Sequence, residues 1–201
     1  PSIKYAKAEN ISYQSNKTTF DLYLANKKYE THFKFFGKHN VENLELAIFA
    51  AHLATADDDL IVRAIPELAP LKGRGQRIQG KKSTLIIDES YNANPSSMTA
   101  SLETLSNIKH GRKVSILGQM AEIGPISDES HRQLAKTAKK KSDFTIGVGE
   151  AFKEAGLDIW YEDVSKLIQE VDGIVKEGDV VLVKGSRSNE LDRLVDYLEV
   201  K

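Results

Sequence analysis

Three short segments gather side chains able to bind a nucleotide or a small anion. The first is Asp88-Glu89-Ser90-Tyr91-Asn92-Ala93-Asn94-Pro95-Ser96-Ser97, where carboxylates, amides and hydroxyls crowd together directly after an apolar run. Asn94-Pro95 reads equally well as a helix N-cap with proline at the first helical position. Capping gives no reason for Asp88, Tyr91 and Asn92, so a binding role is the favoured reading of the segment. The second is Val183-Lys184-Gly185-Ser186-Arg187-Ser188, again after an apolar run. A lysine and an arginine flanking a Gly-Ser turn ahead of a helix would suit an anion, joining mobile charge to backbone amides. The alternative is Ser188 as an N-cap, with Asn189-Glu190 opening the helix. In the third, Gly37-Lys38-His39-Asn40-Val41-Glu42-Asn43, Asn40 and Asn43 are three apart and share one face at a helix start. Their amides could donate to and accept from a purine edge or a ribose. Asn40 is also a good N-cap, with Asn43 merely continuing the first turn.

Other patterns carry less. Gly75-Gln76-Arg77-Ile78-Gln79-Gly80-Lys81-Lys82 has the glycine spacing of a P-loop, but Lys82 stands where Ser or Thr should hold magnesium, and a strand rather than a helix follows. Gly147-Val148-Gly149 lacks the third glycine of a dinucleotide fingerprint. Gly118-Gln119-Met120-Ala121-Glu122-Ile123-Gly124 is a loop with one acid. The five histidines include no H-x-x-x-H pair, so no histidine metal site is expected, and His131 reads as structural on an amphipathic helix.

The elements that must position these residues fall into two styles. Over residues 3–36 apolar residues alternate, with Phe20, Leu22 and Leu24 on one face, then Tyr29, Thr31, Phe33 and Phe35 after a polar link at Ala25-Asn26-Lys27-Lys28. That is a hairpin pattern. From Asn40 the period becomes helical, and apolar residues nearly fill 44–53, which predicts a helix buried on most sides. A second helix begins at Asp57-Asp58-Asp59 and stops near Pro66, and Ala69–Gly75 reads as a linker. Beyond it, strands at 84–87, 114–117, 144–148 and 180–183 alternate with helices at 96–108, 128–141, 164–175 and 189–199, plus a short helix from Ala151. This predicts an α/β unit with a mainly parallel sheet covered on both faces, Rossmann-like in architecture. The binding segments then lie at strand carboxyl ends, where such sheets hold ligands. The expected boundary is near residue 77, with an α+β piece over 1–77 and the α/β unit over 78–201.

The composition narrows the chemistry without naming it. The chain has 201 residues, no cysteine, and 28 Lys+Arg against 29 Asp+Glu, a formal net charge of -1. Thiolate nucleophiles, disulfides and cysteine-ligated metals are excluded, and nothing favours nucleic acid. No apolar run is long enough to span a bilayer and no signal-peptide pattern opens the chain, so a cytoplasmic location is the default.

Taken in order, Gly37–Asn43, Gly73-Arg74-Gly75, Asp88–Pro95, Gly118–Gly124 with His131 downstream, and Lys184–Ser188 resemble the Mur ligase family. Tyr91–Pro95 and Lys184–Arg187 are most similar to the branch that adds D-alanyl-D-alanine to UDP-N-acetylmuramoyl-tripeptide, rather than to its sisters or to folylpolyglutamate or cyanophycin synthetases. The resemblance runs through about 37–198. It implies ATP-dependent amide formation through an acyl phosphate, by an enzyme with a UDP-binding domain, a central ATPase domain and a Rossmann-like C-terminal domain. This chain would be the end of the central domain plus the C-terminal domain, and its start at Pro1 favours a truncation. By similarity Asn40 and Asn43 would contact the adenine side of ATP, and Arg74 would reach its phosphates. An acid at Asp88-Glu89 would face the nucleotide; many relatives have two aspartates here, which leaves open whether Asp88 or Glu89 takes that role. Tyr91, Asn92, Asn94, Lys184, Ser186 and Arg187 would line the cleft for the acceptor dipeptide, with Arg74 and Lys184 as the catalytic pair. The P-loop and the ligands for Mg2+ would belong upstream, so the chain alone is expected to lack ligase activity; a monomer is also expected. Residues 1–36 would pair with strands from that upstream part. A stand-alone nucleotide- or dipeptide-binding module is the competing reading.

Overall fold

The computed structural model describes residues 6–14, 17–55 and 57–200. The chain forms two compact units, Pro1–Pro70 and Leu71–Lys201.

The first unit pairs its own strands: β1 (Ala6–Tyr13), β2 (Thr18–Leu24) and β3 (Lys27–Phe33) form an antiparallel sheet in that order. The β2–β3 turn is only Ala25-Asn26, with φ of 47° and 66°. Two positive φ values in a two-residue loop match the right-handed twist of the flanking strands. Phe20, Leu22 and Leu24 all face inward and are buried, as their alternation predicts. They pack with Val41, Leu44 and Ile48 of α1 (Lys38–Thr55) and with Ile61 of α2 (Asp58–Ala64). Two expectations for α1 need correction. It is buried along one face only, because the sheet covers one side and leaves Leu46 and Leu53 at 68% and 70% exposure. Asn40 is not the N-cap: the helix has begun at Lys38, and the Asn40 Nδ2 donates back to the Phe36 carbonyl at 2.7 Å. Asp57 does cap α2, accepting the Leu60 N–H at 2.9 Å.

The second unit is a six-stranded sheet in the order β4-β5-β9-β6-β7-β8. Its strands are β4 (Gln76–Gly80), β5 (Thr84–Glu89), β6 (Lys113–Gly118), β7 (Phe144–Val148), β8 (Ile159–Tyr161) and β9 (Val180–Lys184). All neighbours pair in parallel except β4, which is antiparallel to β5. Alternate residues of the central strand point to opposite faces. Val181 and Val183 join the cluster under α5 (Val164–Ile174) and α6 (Asp192–Leu198). Val180 and Leu182 join the cluster under α3 (Pro95–Ser106) and α4 (Ser127–Lys141). Burial on both faces explains why the strands read as continuous apolar runs. The edge strands β4 and β8 escape that signal, one for its polar composition and the other for its length of 3 residues.

Two boundaries move. The segment read as a linker is fastened to the second unit at Gly73 and Gly75, so residues 71–77 pack with the α/β part. The P-loop spacing over 75–82 lies in the β4–β5 hairpin, with Lys82 and Ser83 at positive φ in its turn. The last helix starts at Asp192 rather than 189: Arg187–Asn189 form a 3-10 turn, and Glu190 takes a left-handed conformation with φ of 50°.

Candidate functional site

Register alone brings the segments after β5, β9 and β6 side by side, because Lys184 pairs with Glu89 on one side and with Leu117 on the other. The Lys184 Nζ lies 3.0 Å from the Glu89 Oε2, and these side chains are only 6% and 14% exposed. Nζ also donates to the Asn92 carbonyl at 2.9 Å, and the Ser101 Oγ donates to Glu89 at 2.6 Å. A buried ion pair of this kind holds only while each charge keeps its partners. It pins the loop after β5 to the end of β9.

Asp88 faces the other way and is fully buried. Its Oδ2 accepts the Gly73 N–H at 2.9 Å and its Oδ1 the Ser90 N–H at 3.1 Å. The Gly75 N–H donates to the Asp88 carbonyl at 2.7 Å, and the Tyr91 N–H to the Gly73 carbonyl at 3.1 Å. Gly73 has φ of +77°, and a Cβ there would come within 3.0 Å of the Tyr91 Cβ, so only glycine suits the contact. This lacing presents Arg74 with its guanidinium 4.0 Å from the centroid of the Tyr91 ring, which is itself 44% exposed. The two acids therefore divide their work: Asp88 holds backbone amides, and Glu89 holds Lys184.

The remaining expected residues occupy distinct settings. The Asn92 Oδ1 accepts the Ala93 N–H at 2.8 Å on an exposed turn. The Asn94 Oδ1 caps α3 by accepting the Ser97 N–H at 2.9 Å, and the Ser97 Oγ accepts the Asn94 N–H at 3.1 Å. The Ser186 Oγ is buried and accepts the Ala121 N–H at 2.8 Å. Arg187 is exposed and pairs with Asp192 at 3.1 Å. Lys184 and Arg187 thus do not converge on a shared anion; each has a carboxylate, and no helix opens at Ser188. Asn40 and Asn43 lie on the first unit, Asn40 bonded to Phe36 and Asn43 exposed.

His131 shapes the loop after β6. Its Nε2 accepts the Met120 N–H at 2.9 Å and its Nδ1 donates to the Ser127 carbonyl at 2.7 Å, which assigns the neutral Nδ1–H tautomer. Burial pushes its pKa below the ordinary 6.5. Among the described residues no group of three or more His, Asp or Glu side chains could hold a metal ion. The described residues do not fit magnesium, and no step through it follows from them. Among the same residues no helix is long and apolar enough to cross a membrane.

The motifs between Gly73 and Arg187 fall inside a recognised family segment, while Asn40 and Asn43 lie outside it. The family model described as "Mur ligase, glutamate ligase domain" matches residues 73–187, more than half of the chain. UDP-N-acetylmuramoyl-tripeptide–D-alanyl-D-alanine ligase of Escherichia coli strain K12 is 32% identical over 96% of this chain and 44% of its own length. A crystal structure of MurF from Acinetobacter baumannii superposes with a TM-score of 0.82 at 27% identity, covering 96% of this chain and 44% of that one. MurF from Thermotoga maritima in complex with ADP shares the fold at a TM-score of 0.81 and 21% identity, over 96% of this chain and 45% of its own. The chain spans a little under half the length of the relatives it matches. Since the matched segment carries Arg74, the Asp88–Asn94 loop and the Glu89–Lys184 pair, the chain belongs to the Mur ligase family.

Proposed function

We propose that this chain is part of an ATP-dependent ligase that joins D-alanyl-D-alanine to UDP-N-acetylmuramoyl-tripeptide in peptidoglycan synthesis. The observation that carries the reading is the match, across 96% of the chain, to a curated relative with that name. Residues 1–70 would then be the end of the central ATP-binding domain and 71–201 the C-terminal Rossmann-like domain. ATP supplies activation of the precursor carboxylate when bound. This chain's own part is to place charge and hold the acceptor. Arg74, presented on the Tyr91 ring, is the cation available to nucleotide phosphates, and Asn40 and Asn43 remain its candidates for the adenine. Tyr91, Asn92, Ser186 and Arg187 line the strand ends where the dipeptide would sit, and Lys184 with Glu89 fixes their spacing. The dipeptide's ammonium must lose a proton before its nitrogen attacks the activated carbonyl, so the cleft has to orient a zwitterion. An exposed, adjustable Arg187 suits its carboxylate.

Two measurements test this. Adding D-alanyl-D-alanine should shift the backbone amide resonances of Tyr91, Asn92, Ser186 and Arg187, whereas L-glutamate should leave them in place. A preference for L-glutamate, or no response to the dipeptide, would overturn the acceptor assignment. With ATP, Mg2+, the tripeptide precursor and the dipeptide all present, the 201-residue chain alone should release no phosphate, since the described residues provide neither a phosphate cradle nor metal ligands. Turnover above the buffer rate would contradict that.

A further inference from the structure

The loop after β6 and the loop after β9 are joined by Asn189, a side chain given no role in binding above. The Asn189 Oδ1 accepts the Gln119 N–H at 3.0 Å, and its Nδ2 donates to the Gln119 carbonyl at 2.8 Å and to the Ser186 carbonyl at 2.9 Å. A carboxamide that bonds both the N–H and the C=O of one residue pairs with it as a neighbouring strand residue would. The Ser186 N–H adds a bond to the same Gln119 carbonyl at 3.3 Å, and the Ser186 Oγ takes the Ala121 N–H. Packing reinforces the junction. A Cβ on Gly118 would come within 2.9 Å of the Asn189 Cγ, and one on Gly185 within 2.8 Å of the Gly118 Cα. Three consecutive loop amides, at Gln119, Met120 and Ala121, are thus each received by a side chain from elsewhere: Asn189, His131 and Ser186.

We infer that Asn189 is a positioning residue that sets Ser186 and Arg187 for the acceptor by locking their loop to Gln119. The inference rests on the acceptor reading proposed above. It concerns a residue that touches neither the Glu89–Lys184 pair nor the Arg74–Tyr91 stack. Asn189 also lines a cavity of about 230 Å³ at the ends of β6 and β7. Water there can meet the carbonyls that a truncation would free, so losing the amide loosens the loop without leaving dry, unpaired groups. That separates positioning from general stability.

The test compares Asn189→Ala and Asn189→Asp with the parent chain, by amide hydrogen exchange and by D-alanyl-D-alanine titration. Asp keeps the size of the side chain and the oxygen facing the Gln119 N–H, but sets a second oxygen against two carbonyls. In both variants the Ala121 and Ser186 amides should exchange roughly tenfold faster, as expected for losing one or two hydrogen bonds. The Met120 amide, held by His131, and the β9 amides should keep their protection. Affinity for the dipeptide should fall by a similar factor. Unchanged exchange and affinity in the Asp variant would overturn the inference, and so would loss of protection spread over the whole sheet. If the parent chain fails to bind the dipeptide, the acceptor reading falls. The exchange at Ala121 and Ser186 then decides by itself whether Asn189 locks the loop.

Discussion

Lys184 and Glu89 illustrate how a residue's type can suggest one role and its surroundings another. As a lysine after a buried strand, Lys184 is a candidate ligand for an anion, yet its ammonium meets Glu89 and the Asn92 carbonyl in a nearly closed setting. Removing one partner leaves the other charged and buried, so Glu89→Gln and Lys184→Met should each lower unfolding free energy by about 3–5 kcal/mol. The double variant should lose clearly less than the sum, because neither charge is then stranded. Urea denaturation of the four proteins measures this; additive losses would show the pair to be independent. His131 gives a pH signature of the opposite kind. Its folded pKa lies below 6.5 because burial disfavours the charged ring. The fold therefore favours the neutral form, and its full contribution is present above pH 6.5. That contribution drains away as pH falls from there through the lower folded value. Thermal melts between pH 7.5 and 5 should show this loss, and His131→Gln should flatten the part of the slope that the ring supplies.

At the scale of elements, the start of α3 separates a structural role from a binding one. Asn94 forms a capping box with Ser97, so Asn94→Ala should cost about 1 kcal/mol, a fall in melting temperature of a few degrees. Asn94→Ser can still cap and should restore most of that stability. If the serine variant melts normally but loses dipeptide binding, the Asn94 amide also meets the acceptor; if binding returns with stability, the cap is its whole contribution. The central elements were legible because each carries a strong period: β5, β6, β7 and β9 as buried β-branched runs, and α4 as an amphipathic helix ending in Lys139–Lys141. The edges were not. β4 draws its strand geometry from pairing with β5 rather than from its own residues, and the expected helix start at Asn189 gives way to a 3-10 turn stitched to Gln119. Local propensity yields wherever a neighbouring backbone offers better hydrogen bonds.

At the scale of the molecule, the second unit has two apolar clusters of its own, one on each face of its sheet. A fragment comprising residues 71–201 should therefore unfold cooperatively, with a midpoint close to that of the same unit in the whole chain; circular dichroism melts of both would check this. A fragment starting at residue 78 should be less stable, because it loses Gly73 and Gly75 from Asp88 and cuts into β4.

By itself the sequence determined the buried α/β grammar and the order of the motifs, hence the family. Those features are written in periodicity and in the identity of neighbours along the chain. It also placed Asp88, Tyr91, Asn92, Lys184 and Ser186 at strand ends. Only the tertiary structure decided what each side chain meets there. It separated Asp88 from Glu89, stacked Arg74 on Tyr91, matched Lys184 to Glu89 and gave Asn189 its three bonds. The reason is physical: parallel pairing sets strands side by side that lie about a hundred residues apart in the chain, as Glu89 and Lys184 do. A carboxylate or amide then bonds whichever donor that register brings within reach, a choice that no local pattern encodes.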